Sequence, residues 1–191
     1  MQKIKKINIQ FVVLAAMVVI AGFSRLVVHI DNFTPLGAMC IFGGAYFTDK
    51  WKAYLTPLIT LFLSDLVIQG VVYQGKYGFP LYEGWYWVYG TFAIIVLIGN
   101  YVVKHVSVVS IVLASCIAAL THWIITDFGV WLGGCNGLYT RDLNGFVLCY
   151  TMAIPYMLKF LMGTLFYSAI MFGVYELVKR RLPILESQTS L

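Results

Sequence analysis

The chain has 191 residues, of which 61% are hydrophobic and only 11% charged, with a formal net charge of +5. A soluble domain carries about 25% charged residues, so this chain lacks the polar surface that a soluble fold, a disordered chain or a nucleic-acid binder needs. A bilayer-crossing helix takes about 20 apolar residues, and the length holds six spans in a single all-α, polytopic membrane domain with no internal repeat.

The apolar runs predict spans at about 9–28, 35–48, 53–73, 86–104, 107–128 and 151–178. The first follows the basic start MQKIKK and resembles a signal peptide, but Arg25 and Leu26 interrupt the region where a cleavage site would stand, so it reads as a retained helix. The second is the shortest and is expected to be tilted, half-buried or extended through Asn32–Thr34. Its Gly43, Gly44 and Ala45 give it a thin face, and Ser110, Ala114 and Ala118 do the same for the fifth at intervals of four. Such spacing lets helices approach closely inside a bundle. Trp51 and Tyr54 on one side, and Tyr82, Trp85, Tyr86 and Trp87 on the other, read as interfacial belts.

Nine of the thirteen Lys and Arg residues (Lys3, Lys5, Lys6, Lys50, Lys52, Lys104, Lys179, Arg180 and Arg181) fall on one side. Only Lys76 and Arg141 fall in loops on the other side. By the positive-inside rule both termini are expected in the cytoplasm, in a bacterial inner membrane. Cys40 and Cys116 lie within spans and read as small apolar fillers. Cys135 and Cys149 share one predicted outer loop, where a disulfide would stabilise the fold by about 3 kcal/mol in the chain-entropy model. None of the four has zinc spacing, and no nucleophile, metalloprotease or phosphate-loop motif occurs. The chain is therefore not read as an enzyme, and no cofactor is expected.

Ionisable groups inside a bilayer cost about 2.5–3.5 kcal/mol on insertion scales and tend to face a cavity or a partner. Arg25, Asp65, His122, Asp127 and Lys159 are such groups, and counting along each span places all five in the outer half. Helical spacing puts Asp65 with Gln69, His122 with Thr126 and Lys159 with Tyr156. Pro57 and Pro155 free backbone carbonyls nearby. One reading is an outward-facing pocket in which Asp65 and Lys159 bind polar groups. Arg25, Asn32, His122 and Asp127 would then shape the mouth, while Trp123, Trp131 and Tyr156 stack on a ring. The other is a structural or assembly protein in which Lys159 neutralises Asp65 or Asp127, and Arg25 the other, as a lock between helices.

The run Asp31-Asn32-Phe33-Thr34-Pro35-Leu36-Gly37-Ala38, continuing Phe42-Gly43-Gly44-Ala45-Tyr46-Phe47, is distinctive. With Pro57, Ser64-Asp65-Leu66 and Thr126-Asp127-Phe128-Gly129-Val130-Trp131, it resembles an uncharacterised family of small bacterial membrane proteins. That family is similar in turn to the substrate-binding S components of energy-coupling factor (ECF) transporters. The resemblance implies a six-helix bundle that binds a vitamin or related micronutrient, a corrinoid among the options. It implies as partner a transmembrane scaffold driven by two ATPases, which accounts for the missing ATP motif. Many S components dock through an Ala-x-x-x-Ala pattern in the first helix; Ala15, Ala16 and Ala21 do not make it here, so solitary action stays open.

Overall fold

The computed structural model describes residues 9–26, 31–76 and 80–181, without the side chains of Cys135 and Asn136. It contains six α-helices and, among the described residues, no strand: α1 (Ile9–Ser24), α2 (Leu36–Tyr46), α3 (Lys50–Val67), α4 (Trp85–Val102), α5 (Val108–Gly133) and α6 (Leu143–Arg181). A π-helical turn, Ile68–Val72, prolongs α3. With that turn, α3 runs 23 residues, and α4, α5 and α6 run 18, 26 and 39, each long and apolar enough to cross a membrane. The protein is a helical membrane bundle.

The centre of the bundle is its shortest helix. Eleven residues of α2 span about 16 Å, half of a bilayer's hydrocarbon core. Every residue of it except Ala45 is buried, because α2 packs against all five other helices. A helix that is apolar on every side lies in a core or spans a membrane, and it is the burial and the contacts with every other helix that put α2 in the core. The second predicted span is therefore corrected to an internal half-helix.

Missing side chains set the close approaches. A Cβ at Gly44 would stand 2.1 Å from the Val96 carbonyl oxygen of α4, and one at Gly99 of α4 would stand 2.4 Å from the Ile41 oxygen of α2. Gly163 of α6 receives the backbone of Phe33 and Thr34, just ahead of α2. Of the small residues expected to line α5, Ala114 and Ala118 are fully buried, joined by Ser115, whereas Ser110 is half-buried and belongs to the helix cap.

The sixth span begins eight residues earlier than the hydropathy suggests. Asp142 accepts a hydrogen bond from the Gly145 backbone N–H at 2.8 Å and from the Thr140 hydroxyl at 2.6 Å, starting the helix at Leu143. The Asn144-Gly145 pair lies within α6. The gained turns pack against α5: Phe146 on Trp131 at 5.4 Å between centroids, and Tyr150 on Trp123 at 5.3 Å. The α5 helix likewise extends past the predicted 128 to Gly133, where Gly134 ends it with φ +69°. At α5's start Ser107 and Ser110 form a reciprocal capping box.

One end of the bundle is basic. Tyr46, closing α2, donates to Glu176 of α6, and Gln10 of α1 donates to the Tyr175 hydroxyl at 3.4 Å. Lys52 of α3 lies over the Phe11 ring of α1 at 4.8 Å. These contacts gather the start of α1, the end of α2, the start of α3 and the end of α6, so Lys50, Lys52 and the Lys179–Arg181 run share one end.

Candidate functional site

The most buried charge in the described residues is Asp65, 3% exposed, in the last turn of α3. Its Oδ1 pairs with Arg25 Nη1 at 2.9 Å, and the same nitrogen donates to Ser64 Oγ at 2.9 Å. The Tyr89 hydroxyl, from the second turn of α4, donates to Asp65 Oδ2 at 3.0 Å. Both carboxylate oxygens are thus satisfied by different helices. The α1–α3 contact that brings Arg25 here is tight, since a Cβ on Gly22 would meet the Thr60 methyl at 2.1 Å. Tyr82, in the segment before α4, feels both charges. Burial and the Asp65 carboxylate push its phenol pKa up, and Arg25 opposes them.

One turn beyond Asp65 stands Gln69, 6% exposed, inside the π-helical turn. Its side-chain oxygen has no hydrogen-bond donor among the described residues. A buried carbonyl without a donor forfeits about 1–3 kcal/mol, and π-turns are frequent at functional positions. Of Arg25's five donors, Nη1 alone is engaged among the described residues.

The other candidate residues lie elsewhere. The α4 helix stands between: Tyr89 turns toward α3, while Phe92 meets His122 of α5 and Trp87 meets Phe128. His122 stacks on Phe160 of α6, with centroids 4.3 Å apart and planes at 17°. The half-buried Asp127 accepts a Cys149 thiol contact at its backbone oxygen, 3.6 Å away, and is in no ion pair among the described residues. Lys159 is paired with neither carboxylate and lies over the ring of Tyr156 at 5.5 Å. Of the pairings the lock reading allowed, Arg25–Asp65 forms and neither Lys159 pair does, because α3 packs on α1, α2 and α4 while α6 packs chiefly on α5 and α2. Tyr156 is 47% exposed on the bundle's outer face. The indoles of Trp123 and Trp131 donate to the Tyr150 and Thr140 carbonyls at 3.2 and 3.1 Å, tying α5 to α6 and its approach. Asn32 is exposed with φ +58°, turning the chain into α2. The Cys135–Cys149 pairing lies outside the described residues, because the Cys135 side chain is not among them.

Of the sequence candidates, then, Arg25, Asp65 and Gln69 come together. Ser64, Tyr82 and Tyr89 complete the group. Ser64 was legible as Asp65's neighbour, whereas Tyr82 read as a member of an aromatic belt and nothing in the sequence singled out Tyr89. The described residues hold no cluster of three His, Cys, Asp or Glu side chains able to bind a metal. No curated protein and no solved structure matches the chain. Residues 5–185 match the family described as a family of unknown function, DUF6580, and the chain belongs to that family.

Proposed function

We propose that the protein is a transport component that binds a small water-soluble nutrient at the end of the bundle opposite the basic end, in the manner of an ECF S component. The observation that carries this reading is the Gln69 oxygen, without a donor among the described residues, in a π-turn one helical turn from Asp65 and its Arg25 and Tyr89 partners. A solute offering an N–H or O–H there, and an anionic or carbonyl group to the Arg25 donors not engaged among the described residues, would satisfy both. The positive-inside bias supports an inner-membrane protein with cytoplasmic termini and an outward-facing site. Partners would be the nutrient, a vitamin or corrinoid, and an ECF scaffold, with solitary action as the alternative.

Ligand binding to the folded state raises stability by about 2.7 kcal/mol at a hundred times Kd. A vitamin panel added to detergent-purified protein is expected to give one compound that raises Tm, with Gln69→Leu folded but unresponsive. No shift across the panel and no co-purified small molecule would remove the proposal.

A second reading has its own observation: the direct 2.9 Å contact of Arg25 with an almost fully buried carboxylate is what a helix lock requires. Breaking one side of such a pair costs about 3–5 kcal/mol, whereas replacing both sides with apolar groups is close to neutral. Asp65→Asn should therefore lower Tm sharply, and Arg25→Met with Asp65→Leu should restore it. A restored double variant that still shows the ligand shift makes the pair a lock only; one that has lost the shift places the pair in the binding site.

A further inference from the structure

At the basic end, a cleft of about 60 Å³ opens between α3 and α4 beside the last turn of α2. Lys50, Tyr54, Asn100 and Tyr101 bring polar groups to it, Gly44 forms part of its floor, and Leu97 contributes an apolar wall. Lys50 makes no ion pair among the described residues, whereas Lys52, two residues on, pairs with Asp49. We propose that this cleft binds the phosphate of an anionic phospholipid, with the acyl chains running along Leu97.

Three observations favour a lipid over other occupants. The volume suits one phosphate-sized group, about two water volumes, and not a helix or a vitamin. The cleft lies at the basic end of the bundle, flanked by Trp51 and Tyr101, which are 62% and 65% exposed and of the type that anchors helices at the interface. Its lining combines Lys50, in no ion pair among the described residues, with Asn100, Tyr54, Tyr101 and the apolar Leu97, a set that complements a single negative charge joined to hydrocarbon. Lysine serves phosphate as a point charge, and basic clefts between spanning helices take lipid headgroups. At Gly44 the cleft is closed below by the α4 backbone, which lies where a Cβ would meet the Val96 oxygen and the Asn100 nitrogen.

The test is native mass spectrometry of the full chain exchanged into equal mixtures of phosphatidylglycerol and phosphatidylcholine. Wild type should retain the anionic lipid in preference. Lys50→Ala should cut that preference about fivefold, the equivalent of ~1 kcal/mol per basic residue near a membrane. Lys50→Arg should keep it, Asn100→Leu should weaken it, and Lys104→Ala, the same charge change on an exposed residue outside the cleft lining, should leave it unchanged. An equal loss in Lys104→Ala, or no loss in Lys50→Ala, overturns the proposal. So does stabilisation by glycerol 3-phosphate alone as large as that by the lipid.

Discussion

Asp142 shows how one side chain can move a helix boundary by two turns. Its carboxylate receives the Gly145 N–H and the Thr140 hydroxyl, and those bonds hold its pKa below the ordinary carboxylate range. A group whose folded pKa is depressed stabilises fully above its unfolded value, and that stabilisation is lost as pH falls through the folded value. Exchange protection of the first α6 turn is expected to be flat at neutral pH and to decline below the carboxylate range. Asp142→Asn should remove the acid decline, since an amide caps without titrating, while Asp142→Ala should reduce protection at every pH. A decline retained in the Asn variant would assign it to another group. Asp65 is the contrasting case: its importance was legible from its charge within an apolar run, but its partner was not. Arg25 and Asp65 are forty residues apart, and nothing local distinguishes Arg25 from Lys159 as the neutralising cation.

At the scale of elements, α2 is held by what its residues lack. The reciprocal contacts of Gly44 with α4 and of Gly99 with α2 bring the two backbones together. Gly44→Ala and Gly99→Ala should each force the helices apart at a cost of about 1–3 kcal/mol, as overfilled cores do, read as a drop in Tm in detergent. Gly90 has open space around its Cβ position, so Gly90→Ala should leave Tm unchanged or raise it. Equal losses at all three positions would show a general helix effect instead of the close approach. The thin Gly43–Ala45 face was legible in the sequence. That it points into the centre of the bundle was not, because eleven apolar residues satisfy a short span and a buried half-helix alike.

For the whole molecule, helix order and length dictate that the α4–α5 and α5–α6 connections lie on opposite sides of the membrane. With the native cysteines replaced, Lys104→Cys and Arg141→Cys should react with an impermeant maleimide from opposite faces of sealed vesicles. Labelling of both from one face would overturn the bundle's topology.

Composition by itself settled the class. Too few charges to face water and enough apolar runs for several spans leave a helical membrane bundle, since hydropathy is a property of local sequence. It also located α4 almost to the residue and most of α3 and α5. Only the tertiary structure decided that α2 is internal and that α5 and α6 continue together past the predicted ends. It also decided that the intramembrane charges divide into separate groups on either side of α4. The reason is the same for each: which side chains meet depends on how helices are rotated and how closely they approach. Here that is set by glycines and caps whose partners lie far away in the chain.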